Sequence, residues 1–126
     1  MFLTPMTMSK YGNSRTRCCQ SHTHDSKVEA TYCDHLYLLT KAGEVIKYEV
    51  APKIILQEKF RGQDGKMVRA ITYSPDFIVY WDGGTEFVDV KGGNGTQTTS
   101  WKIKWKMLQH MYHNEPTGAY RFTVAE

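Results

Sequence analysis

Pro75-Asp76 opens one strand-like run, Phe77-Ile78-Val79-Tyr80-Trp81, and Asp89-Val90-Lys91-Gly92 closes a second that begins Thr85-Glu86-Phe87-Val88. With Gly83-Gly84 as a two-residue turn, Asp82 pairs with Thr85, and counting outward sets Asp76 opposite Lys91. Side chains alternate along a strand, so Phe87, Asp89 and Lys91 share one face while Val88 and Val90 take the other. Cross-strand partners share a face, which brings Asp76 to Asp89 and Lys91. Diagonal neighbours about 7–8 Å apart let two carboxylates grip one cation. Carboxylate oxygens, with waters retained, are how Mg²⁺ is held beside phosphates. A lysine next to them orients or deprotonates an attacking water, or stabilises charge building on a phosphate. An exposed Asp–Lys pair is the plainer reading of the same residues. The apolar runs Phe77-Ile78-Val79 and Phe87-Val88 weigh against it, because charge among them is costly unless paired or on a metal.

The elements that would hold this trio are legible on either side. Ser26-Lys27-Val28-Glu29 is a capping box, and Val28, Tyr32, Leu36 and Leu39 follow at helical spacing as far as Gly43, a C-cap. Strands are expected over 44–50, 53–60 and 67–73, with Pro52 as a break and Asp64-Gly65 as a turn. Gly92-Gly93-Asn94-Gly95 is a loop that leaves room for a ligand. After it, Thr99 or Ser100 caps a helix from Trp101 to about Tyr112, with Trp101, Trp105, Leu108 and Met111 or Tyr112 as its apolar stripe. Residues 119–124 form a last strand. The order is one helix, several strands, a helix and a strand, an α/β domain over 26–126.

Residues 1–25 are rich in Ser, Thr, Asn and Arg without apolar periodicity, and are expected to be a flexible basic arm with at most a short strand or hairpin. Cys18, Cys19, His22, His24 and Cys33 suggest zinc, but they contain no CxxC and no second pair, so their spacing predicts no metal. Three cysteines in a chain without an export signal predict no disulfide framework either. The 126 residues are 40% apolar and include three Trp, eight Tyr and five Phe, enough for a core and against whole-chain disorder. No apolar run is long enough to span a membrane and Met1–Met8 has no signal-peptide pattern, so a cytoplasmic location is expected.

Pro75-Asp76 followed by Asp89-Val90-Lys91 resembles the PD-(D/E)xK motif of restriction-endonuclease-like nucleases. Ser26-Lys27-Val28-Glu29-Ala30, the Asp89-to-Gly92 signature and the lysine-rich helix after it are similar to a small phage-borne branch close in layout to archaeal-type Holliday-junction resolvases. The resemblance spans about Ser26 to Val124. It implies an αβββαβ core with a mixed central sheet flanked by helices, and the element order read above matches with one strand to spare. It implies Asp76 and Asp89 as metal ligands, the Val90 carbonyl as a further ligand, and Lys91 as the catalytic lysine. Glu29 matches an acid on the first helix that reaches the metal directly or through water, although it also sits where a capping-box Glu belongs. Gln57 matches a polar residue that some members carry on a core strand. The cofactor implied is Mg²⁺, with Mn²⁺ substituting, and no nucleotide.

The partner implied is DNA, most fittingly a branched junction cut by a homodimer in the host cytoplasm. A flap or nicking nuclease, an exonuclease, and an inactive nucleic-acid-binding module of the same fold are the alternatives. The net charge is only +3, but the basic residues cluster. Lys102 and Lys106 lie one helical turn apart on one face with Lys104 turned away, and Arg15 and Arg17 sit in the arm; these five are the expected DNA contacts. Arg69 and Arg121 are further basic candidates. Tyr112, Phe122, Val124 and Met111 offer apolar material for a twofold contact, or else complete the core.

Overall fold

Three short strands open the described part of the chain: β1 (Thr7–Met8), β2 (Ser14–Arg17) and β3 (Thr23–His24), paired antiparallel in the order β1-β2-β3. The structure, a computed structural model, describes residues 7–8, 14–18, 22–24, 26–91, 98–113 and 119–125. Of the arm expected over 1–25, with at most a short strand or hairpin, these three short strands are described, and residues 1–6, 9–13, 19–21 and 25 lie outside the described residues. β2 and β3 pack against the helix that follows, and Cys18 joins the core. Short polar strands carry no periodicity of their own, so only the tertiary contact reveals them.

That helix, α1 (Lys27–Lys41), begins where the capping box lies: Ser26 Oγ accepts from the Glu29 N–H at 3.2 Å. It ends at Ala42, and Gly43 follows with φ of 83°, the left-handed conformation that a side chain would strain. β4 (Val45–Val50) stops at Ala51, where φ is 48° just before Pro52. The two longer strands expected next are each split. β5 (Ile54–Gln57) pairs with β8 (Ile71–Tyr73), and β6 (Phe60–Arg61) with β7 (Met67–Val68), as nested antiparallel pairs closed by the Asp64-Gly65 turn. In that turn Asp64 Oδ1 accepts from the Lys66 N–H at 2.9 Å.

β9 (Phe77–Trp81), β10 (Gly84–Val90), α2 (Thr99–Tyr112) and β11 (Tyr120–Ala125) complete the chain. The central sheet runs β11-β10-β9-β4, with β10 and β11 parallel and the other neighbours antiparallel. It is a mixed sheet in an α/β arrangement. α1 covers one face over Phe77, Val79, Val88 and Val90, and α2 covers the other over Ile78 and Phe87 through Trp105 and Leu108. Alternation along β9 and β10 thus feeds two cores, which is why both strands bury side chains on both faces. Thr98, not Thr99 or Ser100, caps α2 through its hydroxyl at 3.1 Å from the Trp101 N–H. Tyr112 and Phe122, offered above for a twofold contact, pack on Phe87 in the second core, at 5.2 and 5.5 Å between ring centres; Met111 and Val124 stay exposed.

The β9–β10 hairpin corrects the expected register. Gly84 pairs with Trp81 and Val88 with Phe77, so Asp82-Gly83 is the turn, and Gly83 carries its φ of 86°. Gly84 belongs to the strand because Ala119 passes against it: a Cβ there would meet the Ala119 carbonyl oxygen at 2.9 Å. Continuing the ladder one step sets Asp76 opposite Asp89 instead of Lys91. The slip is two residues, which preserves side-chain parity, so the shared face of Asp76, Asp89 and Lys91 survives it.

Candidate metal and carboxylate sites

At the open end of the hairpin, Asp76 and Asp89 converge. Asp76 Oδ2 accepts from the Val90 N–H at 2.6 Å, which ties the start of β9 to the end of β10. Asp89 is 4% exposed and carries several partners. Its Oδ1 is 3.2 Å from Lys91 Nζ, and its Oδ2 accepts from Trp101 Nε1 at 2.5 Å and from the Tyr73 hydroxyl. Trp101 Nε1 also lies 3.0 Å from the Tyr73 oxygen, and Lys91 Nζ sits 4.4 Å from the centre of the Trp101 ring. One indole therefore orients both the acid and the lysine.

Electrostatics marks the place as crowded with negative charge. Burial, first, then the hydrogen bond with Asp89 and the charges of Glu29 and Asp89 push the Asp76 carboxyl up to about 8, against the opposing pull of the Val90 N–H. Burial and Asp89 hold the Tyr73 hydroxyl above the ordinary tyrosine range, so it stays a donor. The charge of Glu29, on α1, bears on Asp76, while its Oε2 lies 3.9 Å from His24 Nδ1. Asp76, Asp89 and Lys91 are thus gathered at the start of β9 and the end of β10, and the Val90 backbone is held between Asp76 and the β11 ladder.

The expected DNA contacts are not brought together as one surface. Lys102 and Lys106 are exposed on α2 and Lys104 is half-buried. Arg17 is exposed on β2, and Arg15 stands on the same strand opposite Thr7. β2 packs on α1, so the arginines and the α2 lysines belong to layers on opposite faces of the central sheet. Arg121 lies over the Trp81 ring at the turn end of the hairpin, beside a shallow cleft formed with Gly84 and Ala119 that is remote from the carboxylates. Gln57 is exposed on β5, and Arg69 is exposed just after β7.

A second cluster lies among residues whose spacing predicts no metal. One ligand atom each from Cys18, His22, His24 and Cys33 lie within 4.8 Å of one another, so these four side chains could hold a metal ion. No CxxC pair marks it, because the four residues come from the end of β2, the approach to β3, β3 itself and α1. Tyr73 and Trp101 were missed for a related reason. Their common partner, Asp89, is 16 and 12 residues away, and nothing local distinguishes them from core aromatics.

Over residues 8–121 the chain matches the sequence model of a family described as a protein of unknown function (DUF1064), and it belongs to that family. No curated protein and no solved structure matches it.

Proposed function

We propose that the chain is a Mg²⁺-dependent endonuclease that hydrolyses phosphodiester bonds in DNA on a restriction-endonuclease-like core. The observation that carries this reading is the convergence of Asp76, Asp89 and Lys91 at the open end of one hairpin, with the charge of Glu29 bearing on Asp76. The order α1, β4, β9, β10, α2, β11 supports it: a helix, three antiparallel strands, a helix, and a strand parallel to the third.

The residues fit a hard dication. Three carboxylates of which Asp89 is buried repel one another, and a proton or a cation must offset that charge. Oxygen donors of this kind suit Mg²⁺, with Mn²⁺ substituting. Asp76, Asp89 and the Val90 carbonyl would hold the ion, with Glu29 joining directly or through water. When bound, Mg²⁺ supplies Lewis acidity and positive charge at the scissile phosphate.

The chain's own groups do the rest. Trp101 and Tyr73 fix the Asp89 carboxylate by donating to Oδ2. Lys91 Nζ, held between Asp89 and the Trp101 ring, donates to the attacking water or to a non-bridging phosphate oxygen. The water oxygen gives up a proton to solvent and bonds to phosphorus in line with the departing 3′-oxygen, the P–O3′ bond breaks, and the 3′-oxygen takes up a proton from solvent, so that one water is consumed. Lys102 and Lys106 meet backbone phosphates without reading sequence. A branched substrate, cut by a twofold pair of subunits, follows from the family resemblance alone.

The test is a panel of labelled linear, flap, single-stranded and four-way DNA with and without Mg²⁺. Mg²⁺-dependent cleavage, strongest on the four-way form, is the expected result. Tight binding of DNA with no cleavage under Mg²⁺ or Mn²⁺ would replace the enzyme with a binding module.

A further inference from the structure

We propose that Cys18, His22, His24 and Cys33 form a structural Zn²⁺ site that fastens the N-terminal sheet to α1. Their order in the chain is C-x3-H-x-H-x8-C. His22 Nδ1 lies 3.4 Å from Cys18 Sγ and 3.3 Å from Cys33 Sγ, and all four ligand atoms fall within 4.8 Å of one another. A tetrahedral zinc with Zn–S of about 2.3 Å and Zn–N of about 2.0–2.1 Å has N···S edges of about 3.6 Å. The two His22–cysteine edges are within a few tenths of an ångström of that cage.

The donor set selects the ion. Two thiolates and two imidazoles in tetrahedral reach favour zinc over the hard cations that carboxylates hold. Charge agrees: two thiolates neutralise one dication, so the filled site is uncharged. That suits its surroundings, where Cys18, His24 and Cys33 are all buried. With four protein ligands no position is left for substrate or water, which makes the role structural.

The fold also shows what the site would hold. β1 and β3 are two-residue strands and β2 has four residues, too little to stand as a sheet alone. Small units of this kind commonly rely on a metal. Cys33 lies one helical turn beyond Glu29 on α1, and Glu29 Oε2 lies 3.9 Å from His24 Nδ1. A carboxylate beside the second nitrogen of a ligating histidine is the usual outer partner in zinc sites. Zinc would therefore steady the turn of α1 that carries Glu29, whose charge bears on Asp76.

The test uses the full chain, untagged and purified under reducing conditions with Zn²⁺ present, then dialysed. Metal analysis is expected to find about one zinc per chain. Cobalt exchange is expected to give the d–d bands of a tetrahedral centre with a thiolate-to-cobalt charge-transfer band. Chelation should lower Tm by roughly 10 °C or more. Cys33→Ser should lose the zinc; because that buried position could impair folding, His22→Ala, at a half-buried ligand, is the second variant. It should keep its far-UV circular dichroism and lose at least about 100-fold in zinc affinity. Zinc below about a tenth per chain with no cobalt spectrum, or wild-type affinity in His22→Ala, would overturn the site. None of these readouts involves DNA or Mg²⁺, so this proposal and the nuclease reading fail separately.

Discussion

Trp101 donates its indole N–H to Asp89 Oδ2 at 2.5 Å while its ring face lies under Lys91 Nζ, so a single side chain at the start of α2 sets the geometry of the acid–lysine pair. Trp101→Phe keeps a ring for packing and for Lys91 but deletes the donor. A hydrogen bond to a charged group contributes about 1.5–3 kcal/mol, so kcat is expected to fall about 10- to 100-fold. The Mg²⁺ concentration for half-maximal rate should rise with it, because Asp89 loses a restraint. A purely structural role would lower stability and leave that concentration unchanged, which a Mg²⁺ titration of the cleavage rate distinguishes.

Asp89→Asn tests the carboxylate itself. The variant keeps the shape and an acceptor for Tyr73 and Trp101 but removes the charge that holds the cation and pairs with Lys91. Cleavage should fall on the order of 100-fold or more, while DNA binding stays equal or tightens, since a negative group near phosphate is gone. Single-turnover cleavage beside a gel-shift titration reads both. Undiminished cleavage would remove Asp89 from the chemistry.

What the sequence made legible was local. The α1 start is written in the Ser26–Glu29 capping box, and β9 in its unbroken apolar run Phe77–Trp81. The hairpin register was not, because Asp82-Gly83 and Gly83-Gly84 are both plausible turns. The choice is made by Ala119, which comes close to Gly84 from 35 residues later in the chain. The Asp76–Asp89–Lys91 face was readable because it depends only on parity. The Cys/His cluster and the two aromatic donors to Asp89 were not, since each is assembled across elements with no shared spacing.

Lys102 and Lys106 share one exposed face of α2, the helix whose first turn carries Trp101. Replacing both with Ala should weaken DNA binding similarly for all sequences and flatten the slope of log affinity against log salt by up to about two units, from counterion release at roughly 0.9 per phosphate contact. Arg17→Ala, on the opposite layer, is expected to leave that slope unchanged. Fluorescence anisotropy at three or more salt concentrations checks both. Equal slopes for the double variant and the wild type would place the lysines in solvent.

Asp76 gives the pH dependence its sign. Burial and the neighbouring carboxylates push its carboxyl up to about 8 in the folded chain, against about 3.9 for an unfolded aspartate. Between those values the folded state binds the proton that the unfolded state has released. Stability contributed by that proton is therefore complete below about pH 4 and is lost as pH rises through about 8. In chelator, the wild type should lose on the order of 1–3 kcal/mol between pH 6 and pH 9 from this group. Asp76→Asn, neutral throughout, should show a smaller loss and be the more stable of the two at pH 9. Adding Mg²⁺ at pH 9 should restore stability to the wild type and not to the variant, because the cation replaces the missing proton. Urea melts at the two pH values, with and without Mg²⁺, decide it: parallel pH profiles for wild type and variant would mean that Asp76 carries no buried charge.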